Sequence, residues 1–96
     1  MKQIVFSKKS ENELQKLSKY LEIKFSVKVK NDFLDKFEKV IDSIQSNPET
    51  FPKSDRNEYH KAVITKQTSI FYRFDEKRIR IVAVFDTRQN PNKIKE

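Results

Sequence analysis

The sequence predicts an α+β domain, β-α-α-β-β-β in chain order, with a helix hairpin packed on one face of a small antiparallel sheet. Three observations predict it. Residues 69–88 read S-I-F-Y-R-F-D-E-K-R-I-R-I-V-A-V-F-D-T-R. Apolar and polar residues alternate, break at Asp75-Glu76-Lys77-Arg78, and alternate again, which is the pattern of a β-hairpin. Upstream, two segments carry apolar residues at helical spacing, each behind a serine placed to cap it. Finally, 96 residues with eight Phe and three Tyr suffice for one modest core, so residues 1–96 form one domain.

In order, Ile4-Val5-Phe6 is a short β-branched and aromatic run, the expected first strand. Ser7 or Ser10 then caps a helix, and Ser10-Glu11-Asn12-Glu13 has capping-box spacing. Leu14, Leu17, Tyr20, Leu21 and Phe25 make its apolar stripe, with the helix ending near Lys24. Ser26 caps a second helix, whose stripe is Phe33, Phe37, Val40, Ile41 and Ile44, with Leu34 at the margin. Asn47-Pro48 ends that helix, because proline drives the residue before it out of helical geometry. Residues 47–57 form a surface loop, 59–65 a strand, and Lys66-Gln67 the turn into the hairpin. No glycine is available for a tight two-residue turn, so a longer loop is expected there.

Alternation sorts the hairpin into two faces. Ile70, Tyr72 and Phe74 line one with Ile79, Ile81, Ala83 and Phe85. Ser69, Phe71 and Arg73 line the other with Arg80, Val82 and Val84, followed by Asp86 and Arg88. Matching the faces across the turn sets Arg73 opposite Arg80. Facing like charges cost stability, and an anionic partner would neutralise them.

Composition narrows the chemistry. Net charge is +7, and residues 53–96 hold eleven basic against six acidic side chains while residues 1–52 hold ten against eight. This surplus points toward an anionic partner. With no Cys and one His, a Cys/His zinc site, a thiol nucleophile and a disulfide are excluded. With no Gly, phosphate-cradling loops and the G-x-S-x-G elbow are excluded as normally built. No stretch has transmembrane length and the start lacks a signal-type apolar region, so a cytoplasmic protein is expected, with no metal, cofactor or membrane partner.

Taken together, the opening strand running into a Ser-Lys-Lys helix start, Ser46-Asn47-Pro48-Glu49 after the second helix, and the final runs Ile70-Phe71-Tyr72-Arg73-Phe74-Asp75 and Asp86-Thr87-Arg88-Gln89-Asn90-Pro91 resemble the RelE/ParE superfamily. These are the toxins of bacterial type II toxin–antitoxin pairs, and the resemblance covers residues 2–94. It implies the helix-on-sheet fold and one of two activities. RelE-like members cut messenger RNA in the ribosome, and ParE-like members poison DNA gyrase without cutting. Both are held inactive by an antitoxin that wraps them with a helix and an extended segment.

A RelE-type nuclease needs a base, an acid and cations around a crowded phosphorane. The resemblance places its basic residues at His60, Ala62 and Ser69, its post-strand arginine at Arg88 and its terminal aromatic near Ile94. Arg88 matches, His60 is chemically able, and the other three are lost. His60 is a candidate base because its ordinary pKa is near neutral, but a strand residue beside Tyr59 is the simpler reading. Glu49 or Glu58 would have to fold back to orient it. Arg73, Arg80 and Arg88, with Phe71, Val82 and Val84 on the same predicted face, form a candidate strip for phosphate or an acidic protein surface. The simpler reading is solvated arginines, some paired with Asp75 or Asp86. Lys28, Lys30, Lys36 and Lys39 read as a solvated helix face.

The first expectation is thus a toxin acting by binding, with DNA gyrase as target and a cognate antitoxin as partner. The alternatives are a ribosome-dependent mRNA endoribonuclease using His60, Arg73 and Arg88, and a non-toxic relic that only binds antitoxin.

Overall fold

The computed structural model describes residues 2–55 and 57–89. Its elements are β1 (Gln3–Phe6), α1 (Lys8–Lys24), α2 (Val27–Ser46), β2 (His60–Val63), β3 (Thr68–Phe74) and β4 (Arg78–Asp86). Ser7 caps α1, its Oγ accepting from the Ser10 amide at 3.0 Å. Ser26 caps α2 in the same way through the Val29 amide at 3.0 Å. Each cap satisfies one of the amides that a helix start leaves without an internal partner. The capping box expected at Ser10 does not form, because Ser10 lies inside the helix and is buried. Its hydroxyl donates to the Ile81 carbonyl at 3.0 Å, and Glu13 accepts from the Val84 amide at 3.0 Å. The start of α1 thereby covers the stretch of β4 that lies beyond β1.

The sheet order is β1-β4-β3-β2. β2, β3 and β4 are antiparallel, whereas β1 runs parallel to β4 with Ile4 beside Ile79 and Phe6 beside Ile81. The sheet is therefore mixed, not purely antiparallel as expected. Period-2 alternation reports which face a side chain takes and is silent on strand direction. Both helices lie on one face, where Leu17, Leu21, Phe33, Phe37 and Ile44 pack against Ala62, Ile70, Tyr72, Ile79, Ile81 and Val84. Phe25, expected in the α1 stripe, is half exposed at the helix join.

A second correction concerns β4. Phe71 pairs with Ala83 and Tyr72 with Ile81, so Val82 is an extra residue, a β-bulge. Beyond it the alternation changes phase. Val84 and Asp86, expected on the open face, are buried on the helix side, while Ala83 and Phe85 take the open one. Nothing in Ile81-Val82-Ala83-Val84 marks the shift, because four consecutive apolar residues look alike in either phase.

Side chains replace glycine in both turns. Asp75 Oδ1 accepts from the Lys77 and Arg78 amides, each at 2.9 Å. Thr65 Oγ1 accepts from the Gln67 and Thr68 amides, each at 3.2 Å, across the longer loop expected there. Among the described residues none adopts positive φ. The loop after α2 is pinned to the sheet: the Tyr72 hydroxyl donates to the Pro48 carbonyl at 2.6 Å, and the Lys61 amide to the Pro52 carbonyl at 2.9 Å.

Candidate functional site on the uncovered sheet face

Strand register builds the uncovered face. Across the sheet it sets Val5 beside Arg80, Arg80 opposite Arg73, Ala83 opposite Phe71, and Lys61 opposite Phe71 from the other side. Ser69 faces Val63 and Phe85 at the far end. Arg73 and Arg80 meet as the alternation predicts, and both are exposed. Neither makes an ion pair or hydrogen bond with the described residues. With Phe74, Asp75 and Arg78 they line a cleft of about 270 Å³ at the turn end of the hairpin. The Arg78 and Lys77 amides, helped by the charges of Arg78 and Arg80, hold the Asp75 carboxylate below its ordinary pKa. That single carboxylate leaves the cleft with a surplus of cations, suited to a phosphate or carboxylate met by planar guanidinium forks.

Arg88 does not join them. It follows β4 at the opposite end, roughly 20 Å along the strand at about 3.3 Å per residue. Its Nε donates to Asp86 Oδ1 at 3.1 Å, its Nη2 to Oδ2 at 2.7 Å, and its amide to Oδ1 at 2.9 Å. The Thr68 hydroxyl completes the shell around Asp86. Burial pushes the Asp86 carboxyl up, but the donors from Arg88 and Thr68 outweigh it and hold the pKa below its ordinary value. The same bond to Asp86 raises the Arg88 pKa, with Tyr20 of α1 close enough to add to the effect. The three-arginine strip is thus two separate features, an unpaired cluster and an internal ion pair.

His60 faces the helix side. Its ring stacks on Tyr72 with centroids 5.3 Å apart and tilts against Phe74 at 5.1 Å. Nδ1 lies 2.6 Å from the Phe51 carbonyl. A carbonyl only accepts, so Nδ1 carries a proton and donates it to this bond. The ring is oriented by a carbonyl, with no carboxylate from Glu49 or Glu58 bonded to it. Ala62 is likewise buried on the core side, while Ser69 is half-buried on the open one. Burial also drives the Tyr72 phenol up to about 12, tempered by the Phe51 backbone, so it stays protonated and structural. Ile94 lies outside the described residues.

Three members of the open face escaped the sequence reading. Lys61 was obscured because neither alternate set of β2 is clearly apolar. Ala83 and Phe85 were assigned to the core because the bulge was not visible. The available signal for Lys61 was its register with Phe71, which follows once the loop of residues 64–67 is counted. Among the described residues no His, Asp and Glu group is placed to hold a metal, and no helix is long and apolar enough to cross a membrane.

A family model described as the ParE toxin of the type II toxin–antitoxin system parDE matches residues 4–91. No curated protein matches the chain. Among solved structures, the chain is similar to one from the chromosomal ParDE system of P. aeruginosa, with a TM-score of 0.74 at 11% identity, covering 90% of this chain and 96% of that one. The DinJ–YafQ complex of E. coli gives a TM-score of 0.61 at 12% identity, covering 93% and 97%. The YoeB/ParE toxin from Agrobacterium tumefaciens gives 0.62 at 14% identity, covering 88% and 96%. At such identities the structural likeness establishes the fold, two helices on a four-stranded mixed sheet. The match over residues 4–91 establishes the family: the chain belongs to the ParE toxins of type II toxin–antitoxin systems.

Proposed function

We propose that this toxin arrests growth by binding a macromolecular target, with DNA gyrase as that target, and that a cognate antitoxin holds it inactive. The observation that carries the reading is the unpaired Arg73–Arg80 pair beside Phe71 and Lys61 on the uncovered sheet face. A bare cationic cluster with an aromatic at its centre is a contact surface, and its opposed charges gain stability when an anionic partner closes over them. Two groups that a nuclease would draw on have structural duties instead. Arg88 is bonded to Asp86, and His60 is stacked on Tyr72 with Nδ1 on a carbonyl. Family membership and the ParDE structural neighbour also favour the ParE-type reading.

The deciding experiment supplies the purified toxin to gyrase and, separately, to translating ribosomes. Inhibited supercoiling with intact message is expected, and Arg73→Ala with Arg80→Ala should weaken that inhibition tenfold or more. Cleaved message with unaffected supercoiling would replace this reading with that of a ribosome-dependent endoribonuclease. Absence of any growth arrest on expression would leave an antitoxin-binding relic.

A further inference from the structure

The helix hairpin extends past the layer it covers. Leu21 is the last buried residue of α1 and Phe33 the first of α2, and no side chain between them is buried. Yet this overhang holds most of the large apolar side chains that the fold exposes: Ile23 at 73%, Phe25 at 52%, Val27 at 55% and Val29 at 39%. They alternate with Lys24, Ser26, Lys28 and Lys30, a strand-like pattern in a segment that folds as the end of one helix and the start of the next. Aromatic and β-branched residues add little to helix propensity, and exposed ones add nothing to the core. Such a local conflict with the fold marks a surface kept for contact. The tip is also held in shape. Phe25 packs edge-on against Tyr20 with centroids 6.3 Å apart, Lys30 pairs with Glu22 at 2.7 Å, and Lys28 with Asp32 at 2.9 Å.

We propose that this tip is the plug by which the toxin enters its target: Ile23, Phe25 and Val27 seat in a concave pocket of a folded protein whose rim carries carboxylates. The inference rests on the binding reading above and names a second, apolar contact beside the arginine cluster. Interface energy concentrates in a few apolar anchors that fill pockets within a polar rim. The tip has that anatomy, with Lys24 in no ion pair among the described residues and so placed to meet an acid. Shape selects the occupant. A peptide helix seats in a groove, whereas this hairpin end is convex and needs a preformed hollow. A second copy would bring together two chains that each carry a net charge of +7.

The test uses the full chain with Phe25→Ser and Val27→Asp, exposed positions whose folding is checked by thermal unfolding. Aspartate at the start of α2 also suits the helix dipole, which protects the second variant. Each variant should raise the toxin concentration that half-inhibits purified gyrase at least tenfold and restore colony formation. Binding to the protein encoded by the adjoining reading frame should stay within twofold of wild type. Unchanged inhibition by both folded variants overturns the proposal. So does lost binding of that neighbouring protein with inhibition retained, which makes the tip the antitoxin's seat. Binding of wild type to phosphatidylglycerol vesicles that Phe25→Ser abolishes, with gyrase inhibition intact, also overturns it. If wild type cleaves message instead of blocking gyrase, the binding reading fails, and the tip is then judged by whether Phe25→Ser lowers that cleavage tenfold. A wild-type chain that inhibits nothing overturns both.

Discussion

At the turn end of the β3–β4 pair, Arg73 and Arg80 face each other with no carboxylate of the described residues bonded to either; at the other end Arg88 gives its guanidinium to buried Asp86. These are the same side-chain type on one hairpin, and the difference comes from the phase of β4. Before Val82 the polar residues of β4 point outward. After it, Val84 and Asp86 point into the helix-covered layer, and a buried carboxylate there requires donors. Arg88 and Thr68 supply them. An arginine after the last strand therefore has a partner within the fold here, which its position in the sequence does not reveal.

The largest expected effect tests that assignment. Removing one partner of a buried ion pair costs about 3–5 kcal/mol, and the partial exposure of Arg88 places Arg88→Ala at about 2–3 kcal/mol in urea unfolding. A loss under about 0.5 kcal/mol would mean that Asp86 does not need it. The acid limb sharpens the same point. Because the folded Asp86 pKa lies below its ordinary value, its stabilisation is present above about pH 4 and is lost as pH falls through the folded value. Wild type should consequently lose stability more steeply than Asp86→Asn below about pH 4, and parallel acid limbs would contradict the linkage.

Next comes the bulge itself. Deleting Val82 joins Ile81 to Ala83, which already face opposite sides, so Val84 and Asp86 stay inward and the chain should fold. The loss is the Ser7 hydroxyl bond to the Val82 carbonyl and its local packing, about 1 kcal/mol. A deletion that abolished folding would show that the extra residue has a larger duty than changing phase. The smallest effect belongs to the turn end. Arg73→Glu replaces a facing like-charge pair with an opposite one and should stabilise by about 0.2–1 kcal/mol, while weakening target inhibition. Destabilisation would imply that the arginines are not idle toward their own fold.

Where sequence reasoning succeeded, the cause was local. The serine caps at Ser7 and Ser26, the helix stripes ending in Ile44, the stop at Asn47-Pro48 and the Arg73–Arg80 register all follow from periodicity, capping and turn length within a few residues. The uncovered face was accordingly legible near the turn and illegible beyond Val82. One inserted residue inverts every later side chain, and an unbroken apolar run carries no trace of it. His60 was ambiguous for a related reason, since four residues of mixed polarity do not reveal which side the helices cover.

By itself, then, the amino-acid order determined the element types, the surplus of cations and the guanidinium pair at the hairpin turn, because these depend on neighbours in the chain. Only the tertiary structure decided that β1 lies parallel to β4, that Asp86 is buried with Arg88 as its counter-ion, and that Ile23, Phe25 and Val27 overhang the core. Strand direction, bulge phase and helix overhang are set by where distant segments stop and meet. Side-chain pattern along one segment holds no record of that.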